Sequence, residues 1–328
     1  MTDHAISRRN VIRCSLAAAC AVGLPTALGA CSKEVDHKAG MFIDGTIDDD
    51  GWGASCYEAL VVASEAHQWE YTYIEDVSES DWAGAIEDLI ADGCTIVFAP
   101  GAQYEAAVKK AAGAHEDVKL IVLNGSLELD NVENLVPNNE QIGQLAGALA
   151  GLITKTGVIG FIGGTGLEGT KTKVENYEAA ARAINGNIQV ISEYAESFDD
   201  EERGYQIALE MIQQHQVDVL FGDASIVDAG ARRAIYESGR GMAIAQPNDA
   251  GSAYDQVIAG SIVTDNAIMM RNAFRDIESG SFGNKTVAGD ASTGGIGVGT
   301  LSDVLVEPFV QERYLGIAEQ IARGTFIG

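Results

Sequence analysis

Apolar runs of strand length alternate along this chain with amphipathic stretches of helix length. In the first part, the predicted strands cover residues 40–44, 70–74, 95–99 and 118–123, and the predicted helices cover residues 55–67, 81–92 and 104–114. Residues 95–98 and 120–123 are apolar almost throughout, which is typical of strands buried on both faces of a sheet. The alternation of strands and helices predicts a parallel sheet covered by helices.

The alternation starts again after residue 140. The predicted helices of this second part cover residues 141–153, 173–184, 201–215, 228–238, 266–278 and 307–323, and the predicted strands cover 158–162, 188–191, 217–221, 242–245 and 262–264. Two successive sets predict an α/β protein with two doubly wound parallel-sheet domains. We expect an N-terminal lobe over residues 39–136 plus about 266–290, and a C-terminal lobe over residues 137–265 plus about 291–328.

Nearly every predicted strand ends in a small or polar residue. These residues are Asp44, Gly101, Asn124, Gly163, Asp223, Gln246 and Asp265. Ligands of doubly wound sheets bind at the carboxyl ends of the strands, and the helices that begin there offer N–H groups to polar ligands. We therefore expect a small-molecule ligand in a cleft that closes when the two domains move about a hinge.

The N-terminus has the pattern of an exported lipoprotein. Ser7-Arg8-Arg9-Asn10-Val11-Ile12 is a twin-arginine pattern, and it precedes an apolar stretch over residues 11–28 that Gly23 and Pro25 interrupt. Such a stretch is typical of a signal peptide and is too short for a stable membrane span. Leu28-Gly29-Ala30-Cys31 is typical of a lipoprotein cleavage site. We predict a signal peptide over residues 1–30, acylation of Cys31, a tether over residues 31–38 and anchoring on the extracytoplasmic face of the cell membrane; an uncleaved N-terminal anchor is the alternative.

Composition excludes one class of partner. The net charge is −27, the pI is about 4.3 and 46% of the residues are hydrophobic. A surface with this charge repels nucleic acid and anionic lipid headgroups, so we expect no nucleic-acid partner and contact with the membrane through the lipid anchor alone. The acidity itself is consistent with a role in solubility.

The cysteines and histidines do not form a catalytic or metal-binding pattern. Cys14 and Cys20 lie in the signal peptide, which leaves Cys56 and Cys94 in the folded part. We predict that both are small buried hydrophobic residues, and their spacing leaves a disulfide open. The histidines are scattered, at positions 4, 37, 67, 115 and 215. We therefore predict a protein that is not an enzyme, with no cofactor and no metal.

Several segments resemble one family in the order in which that family has them. Asp44-Gly45-Thr46-Ile47-Asp48-Asp49-Asp50-Gly51-Trp52 resembles the first strand–helix turn of the basic membrane protein (BMP) family of substrate-binding lipoproteins. Further matching segments are Asn139-Glu140, Gly143, Leu145-Ala146-Gly147, Ile159-Gly160-Phe161-Ile162-Gly163-Gly164 and Ser197-Phe198-Asp199-Asp200. The resemblance extends over about residues 39–290. It implies a type I periplasmic-binding-protein fold and capture of a purine nucleoside, as a monomer, for import by an ABC permease.

The resemblance also implies which residues contact the ligand. Trp52 stands where the family has an aromatic side chain that stacks on the base, and such stacking contributes about 1–3 kcal/mol per base. Asp44 and Asp49 would accept hydrogen bonds from the ligand. The other predicted contacts lie at or near strand ends: Tyr104, Asn124, Phe221, Asp223, Asn248, Asp249 and Asp265.

Some of these positions have a structural interpretation as well. Trp52 can pack on its own helix, and Phe221 can belong to the core. The acidic residues 48–50 suit the N-cap of a helix, because a carboxylate there accepts backbone hydrogen bonds and complements the helix dipole. The sequence leaves both interpretations open.

The chain departs from the family at positions that face the ribose. Pro247 stands where the family has an acid, and Gly53 stands where the first turn has Asn. Residues 268–270 are Ile-Met-Met where the family has a polar Lys. A bare nucleobase, or another small polar ring compound, is therefore an alternative to a nucleoside.

Two other functions compete with solute transport. Gly164-Thr165-Gly166-Leu167-Glu168-Gly169 fits G-x-G-x-x-G after a strand, with Glu193 further along the chain, which resembles a dinucleotide-binding fingerprint. An NAD-dependent oxidoreductase is therefore one alternative. The other is a ligand sensor that reports to a membrane receptor, because such a protein shares every feature above.

Overall fold

A computed structural model describes residues 37–49, 51–249 and 254–326 of the 328-residue chain. The predicted signal peptide, the lipidation residue Cys31 and Asp50 lie outside these residues. The described chain forms two six-stranded, mainly parallel sheets with interleaved helices. This arrangement confirms the predicted α/β class with two doubly wound sheets.

The first sheet comes mainly from the first 140 residues. Its strands are β1 (Lys38–Phe42), β2 (Glu70–Ile74), β3 (Ile96–Ala99), β4 (Lys119–Leu123), β5 (Val132–Pro137) and β11 (Lys285–Gly289). They lie in the order β11-β5-β4-β3-β1-β2, and β2, β1, β3 and β4 pair in parallel. The helices of this part of the chain are α1 (Trp52–His67), α2 (Trp82–Ala91) and α3 (Glu105–Ala114).

The second sheet repeats the pattern in the rest of the chain. Its strands are β6 (Val158–Gly163), β7 (Gln189–Tyr194), β8 (Val219–Asp223), β9 (Met242–Ala245), β10 (Ile258–Thr264) and β12 (Ile296–Leu301). They lie in the order β12-β10-β9-β8-β6-β7, in which β12 runs antiparallel to β10 and the other pairs are parallel. The helices are α4 (Asn139–Ile153), α5 (Glu168–Ile184), α6 (Glu201–His215), α7 (Ile226–Ser238), α8 (Asn266–Ser279) and α9 (Pro308–Ala322).

The chain divides into two compact units. Unit 1 contains the described residues up to Asp44, Leu60–Asn134 and Arg271–Lys285, and unit 2 contains Gly45–Ala59, Leu135–Met270 and the described residues from Thr286 onward. The lobe boundaries drawn from the sequence stay a prediction. The first strand begins at Lys38, so the predicted tether over residues 31–38 overlaps the folded chain at its last residue.

Alternating side chains on the strands of unit 2 build a core on each face of its sheet. Phe161 and Phe221 belong to one hydrophobic cluster, whereas their neighbours Ile162 and Leu220 belong to the other. The alternation follows from the two-residue period of a strand. Each fully buried side chain of this kind stabilises the fold by about 1.5–3 kcal/mol.

Two glycines bring α4 and α5 together. A Cβ added at Gly143 would lie 2.3 Å from the backbone oxygen of Lys173, and one added at Gly147 would lie 2.2 Å from that of Tyr177. Only glycine allows the two backbones to approach so closely. This contact fixes the position of α5, which has Thr170 and Lys173 on its first two turns.

The structure corrects several predicted bounds and adds strands. Helix α5 begins at Glu168 and not at residue 173, because part of the glycine-rich segment after β6 forms its first turn. Strand β8 extends to Asp223, two residues beyond the predicted end. The strands β5, β11 and β12 were not predicted, since their sequences VENLVP, KTVAG and IGVGTL contain Pro, Gly or buried polar residues in place of a clear alternating pattern.

Candidate functional site

Asp223 is the centre of a polar cluster at the carboxyl end of β8. Its Oδ1 accepts hydrogen bonds from Lys173 Nζ at 2.7 Å and from Gln246 Nε2 at 2.9 Å, and its Oδ2 accepts one from Thr170 Oγ1 at 2.7 Å. Lys173 and Thr170 come from α5, and Gln246 follows β9. The side chains of Lys173 and Asp223 are 12% and 18% exposed, so the ion pair is largely shielded from water but still accessible.

The ends of the neighbouring strands lie in line with this cluster. Gly163, the last residue of β6, pairs with Asp223 on one side and with Tyr194 on the other. A Cβ at Gly163 would lie 2.7 Å from the ring of Tyr194, so this ring packs closely over the glycine. The pKa of Tyr194 is raised, first by burial and then by the charges of Asp223, Glu175 and Glu196. The carboxyl edge of the unit 2 sheet is therefore a polar surface with negative charge around it.

Asp49 caps the N-terminus of α1. Its Oδ1 accepts hydrogen bonds from the backbone N–H groups of Gly51 and Ala54, and its Oδ2 accepts one from that of Gly53, each at 2.9 Å. Its Oδ2 also accepts a hydrogen bond from Ser225 Oγ at 3.2 Å. The protein itself therefore uses both carboxylate oxygens of this predicted ligand contact.

Other predicted residues of unit 2 also hold loops in place. Asn248 Nδ2 donates to the backbone oxygen of Gly51 at 2.9 Å. Asp249 accepts hydrogen bonds from the backbone N–H and the hydroxyl of Thr300, both at 2.7 Å. Asp265 caps α8 by accepting the backbone N–H of Ile268 at 3.0 Å. These contacts fix the loops that surround the strand ends.

Trp52 and Phe221 differ in accessibility. Trp52 is the first residue of α1 and is half-buried, and its role as a stacking residue stays a prediction. Phe221 is fully buried, and its ring contacts Phe161 and Tyr177 with centroids 5.8 Å and 5.5 Å apart. The structure places Phe221 in the core, and its role as a stacking residue stays a prediction.

The predicted residues of unit 1 lie at the carboxyl ends of β1, β3 and β4. The backbone N–H of Asp44 donates to the hydroxyl of Tyr104 at 3.1 Å, and Asp44 is an exposed residue. Tyr104 is fully buried and packs edge-on against Phe42 and Trp82. Burial, and next the charge of Asp44, raise the pKa of Tyr104 far above its ordinary value. Tyr104 therefore positions Asp44 and does not itself present a surface to a ligand.

Asn124 follows β4 with a left-handed backbone, at a φ of 60°. Its Oδ1 is buried and has no hydrogen-bond partner among the described residues. A buried polar atom without a partner is unfavourable by about 1–3 kcal/mol. A donor group from a ligand would satisfy this oxygen.

Asp228 is a buried acid in the first turn of α7, the helix that follows β8. Its Oδ2 accepts the backbone N–H of Ala224 at 3.1 Å, and it borders a small cavity with Phe221, Arg232 and Gln246. Burial raises the pKa of Asp228 to about 7, although the charge of Arg232 acts in the opposite direction. This acid therefore changes protonation near neutral pH.

A family comparison decides which class of protein this is. The family model described as "ABC transporter substrate-binding protein PnrA-like" matches residues 36–323. The chain belongs to the Bmp family. The resemblance found in the sequence is thereby confirmed, and the family consists of substrate-binding proteins and not of enzymes.

Known relatives are identical to the chain at about one quarter of the aligned residues. It is 26% identical over 217 residues to the "CD4+ T-cell-stimulating antigen" of Listeria monocytogenes, covering 59% of each protein. It is 26% identical over 208 residues to "Basic membrane protein A" of Borreliella burgdorferi, covering 62% of this chain and 61% of that protein. The alignments therefore span about three fifths of the length of these relatives. It is also 24% identical over 281 residues to "Transcriptional activator protein med" of Bacillus subtilis, covering 84% of this chain and 86% of that protein.

Solved structures share the fold. A solute-binding protein of an ABC transporter system from Aeropyrum pernix K1 superposes with a TM-score of 0.74 at 17% identity, covering 88% of this chain and 84% of that one. A transcriptional activator of the comK gene from Bacillus halodurans gives a TM-score of 0.75 at 19% identity, covering 89% of this chain and 100% of that one. The Bmp-family chain thus has the type I periplasmic-binding-protein fold.

The glycine-rich segment of this Bmp-family chain has the strand–turn–helix setting of a dinucleotide fingerprint. However, a Cβ at Gly164 would lie 2.3 Å from the ring of Phe198, so this ring packs on the first glycine. Thr170 of the first helical turn donates to the carboxylate of Asp223. A carboxylate beside the start of a helix is unfavourable for a pyrophosphate, because both groups are negatively charged.

The remaining predictions concern cysteines and the membrane. Cys56 and Cys94 are buried, as predicted, and are not joined in a disulfide. In the part of the chain that the structure describes, no helix has the length and apolarity needed to cross a membrane.

The structure brings together residues that the sequence did not connect. Of the cluster in unit 2, only Asp223 was predicted as a ligand contact, whereas Thr170, Lys173, Tyr194 and Gln246 were not. Thr170 and Lys173 are three residues apart, a spacing that places both on one face of a helix. That signal was not visible because the predicted helix began at Lys173 itself.

Proposed function

We propose that this Bmp-family protein is a lipid-anchored extracytoplasmic solute-binding protein that captures a nucleoside-like or nucleobase-like molecule for import by an ABC permease. Family membership supports the class of function. The observation that carries the ligand proposal is the accessible polar cluster of Asp223, Lys173 and Gln246 at the carboxyl ends of the unit 2 strands. Ligands of doubly wound sheets bind at such ends.

The available groups suit a small polar ring compound. Trp52 offers a flat apolar face for stacking. Lys173 and Asp223 offer donors and acceptors for polar edges, as hydroxyl and ring nitrogen groups require.

The carboxylates favour binding over catalysis. Asp49 accepts four hydrogen bonds from the protein and Asp223 accepts three, one of which comes from an ammonium group. Both carboxylates are thus engaged in holding groups of the protein itself, and we propose that the protein binds its solute without converting it.

The ligand proposal is tested by a thermal-shift screen of the purified protein against nucleosides, nucleobases, sugars and amino acids. A ligand that binds only the folded form stabilises it by about 2.7 kcal/mol when its concentration is 100-fold above Kd. We expect nucleosides or nucleobases to raise Tm, with calorimetry to confirm the hits. A shift with sugars or amino acids alone would contradict the proposed ligand class, and release of a converted product would contradict the non-enzymatic role.

The anchor is tested separately. Acyl chains on Cys31 would hold the protein on the membrane, because each buried methylene contributes about 0.8 kcal/mol. We expect a fatty-acid label to be incorporated into the wild-type protein and lost in Cys31→Ser, which would leave the membrane fraction. Replacement of Arg8 and Arg9 by Lys should block export. Equal membrane association of Cys31→Ser and wild type would contradict a lipid anchor.

A second candidate function is solute sensing. It is favoured by the relative aligned over 84% of this chain, whose name is that of a transcriptional activator. A sensor would bind the same solute but would pass its bound state to a receptor. Cross-linking in intact cells with and without solute distinguishes the two functions: recovery of a permease supports transport, and recovery of a signalling receptor supports sensing.

A further inference from the structure

Lys173 and Asp223 form an ion pair that the rest of unit 2 holds in place. Lys173 Nζ lies 2.7 Å from Asp223 Oδ1, and Thr170 and Gln246 donate to the same carboxylate. The close approach of α4 and α5 at Gly143 and Gly147 holds Lys173 in this position. The two charges therefore neutralise each other in a fixed geometry.

The ion pair of Lys173 and Asp223 has no net charge, but its ammonium group still has N–H donors available. An ammonium group has three N–H donors, and among the described residues Lys173 directs one of them to Asp223. The side chain of Lys173 is 12% exposed and that of Asp223 is 18% exposed, so charges act strongly there because solvent screens them little. The remaining donors suit hydroxyl or carbonyl oxygens of an uncharged solute.

The negative charges around this ion pair are unfavourable for binding an anion. The phenol of Tyr194, at the end of the neighbouring strand β7, is influenced by the negative charges of Asp223, Glu175 and Glu196. A phosphate or carboxylate brought to this edge would meet these charges, while the ammonium of Lys173 is already neutralised.

We infer that the pair of Lys173 and Asp223 makes the site selective for the uncharged form of its solute and excludes the phosphorylated or carboxylated counterpart. The inference rests on the proposed function and names the determinant of charge selectivity. Removal of the Asp223 charge would expose a shielded cation and favour anions. Removal of the Lys173 charge would leave a lone carboxylate and disfavour anions further.

Calorimetry tests the inference by comparing the affinity for a neutral solute with the affinity for its anionic counterpart. The pairs are adenosine, guanosine and inosine with their 5′-monophosphates, and uracil with orotate, which cover both nucleoside and nucleobase ligands. We expect the wild type to bind the neutral member at least tenfold more tightly. Asp223→Asn should raise the ratio of anion to neutral affinity at least tenfold, and Lys173→Met should lower it.

A matched control uses a second ion pair. Lys38 Nζ lies 2.6 Å from Asp92 Oδ2, and both residues belong to unit 1, whereas Lys173 and Asp223 belong to unit 2. Asp92→Asn should leave the selectivity ratio unchanged. Circular dichroism and thermal melts of all variants establish that each is folded at the assay temperature.

The outcomes separate this inference from the proposed function. Opposite shifts of the ratio in Asp223→Asn and Lys173→Met support the inference. The inference alone is overturned if both folded variants bind neutral solutes and their ratio of anion to neutral affinity stays within twofold of the wild-type ratio. Failure of every pair to bind the wild type overturns the proposed function, and the inference with it.

Discussion

Ser225 Oγ donates a hydrogen bond to Asp49 Oδ2 at 3.2 Å and so joins the start of α7 to the loop that precedes α1. Asp49 also accepts three backbone N–H groups at the start of α1. Ser225 has a φ of 53° and a ψ of −119°, a conformation that non-glycine residues rarely adopt. The contact therefore has a structural function that is independent of any solute.

The cap at Asp49 should contribute measurably to stability. Asp49→Ala removes the acceptor of these hydrogen bonds, and the loss of a helix cap lowers the free energy of unfolding by about 0.5–2 kcal/mol. Urea unfolding measures the change. The matched control is Asp48→Ala, because Asp48 is an exposed neighbour in the same loop, and it should change stability by less than about 0.5 kcal/mol. Equal effects of the two substitutions would contradict a specific capping role.

Trp52 should contribute to solute binding through stacking. Trp52→Ala should weaken binding of the solute identified by the thermal-shift screen at least tenfold, since base stacking contributes about 1–3 kcal/mol. Trp69→Phe is the control, because Trp69 precedes β2 at the opposite end of the strand and packs against His67 and Phe274. Calorimetry measures both affinities. An unchanged affinity in Trp52→Ala would exclude this ring from the site.

The close contact of α4 and α5 should not tolerate a methyl group. Gly147→Ala would place Cβ 2.2 Å from the backbone oxygen of Tyr177, so the helices must separate, and such overpacking lowers stability by about 1–3 kcal/mol. Gly113→Ala in α3 is the matched control, since its Cβ would meet nothing within 4 Å. The control should raise stability by about 0.4–1 kcal/mol. Chemical denaturation of both variants checks the prediction, and a stable Gly147→Ala would contradict it.

The buried acid Asp228 should make stability depend on pH. Burial raises its pKa to about 7 in the folded protein, against 3.8 as the ordinary value, so the folded state retains a proton that the unfolded state has lost. The stabilisation by this proton is present at acidic pH and is lost as the pH rises through about 7. Between pH 5 and pH 8, the free energy of unfolding should therefore fall by an amount on the order of 3 kcal/mol.

Asp228→Asn tests this dependence, because the amide oxygen can still accept the N–H of Ala224. Titratable or charged groups near the carboxyl are Arg232, Asp223 and Lys173, and all three are retained in the variant. Urea unfolding at pH 5 and at pH 8 should show a smaller pH difference for Asp228→Asn than for the wild type. An identical pH difference for the two proteins would show that Asp228 is ionised in the folded state.

The thiols should be protected from modification. Cys56 is fully buried and Cys94 is 3% exposed, and burial raises the pKa of Cys94 to about 11. Because the thiolate is the reactive form, iodoacetamide at pH 7.5 should label the peptides that contain these residues only after denaturation. Mass spectrometry of the digested protein measures the labelling. Rapid labelling of the native protein at either position would contradict the packing described here.

The order and kind of most elements could be predicted from local sequence alone. The bounds of β2, α6 and β9 agree with the prediction residue for residue. Strands β5 and β11 were not predicted because their stability comes from neighbouring strands in the sheet. Glu133 in β5, for example, is fully buried and is paired with Lys285 at 3.4 Å, a residue of β11 that no local pattern connects to it.

For the candidate site residues, the sequence could predict only their position at the ends of strands. Asp44 and Asn124 follow strands of the first sheet, whereas Asp223 ends and Asp265 follows a strand of the second sheet. The role of each side chain was not visible. Asp49 and Asp265 cap helices, Tyr104 is buried, and Phe221 packs in the core.

The sequence by itself determined the family, the alternation of strands and helices, and the edge at which polar residues collect, because these follow from local composition and period. Only the tertiary structure decided which polar groups meet. Lys173 and Asp223 are 50 residues apart in the chain, and their contact depends on the pairing of β6 with β8 and on the close approach of α4 to α5. The physical reason is that an ion pair acts over a few ångströms in space, whereas the sequence pattern reports on neighbours along the chain.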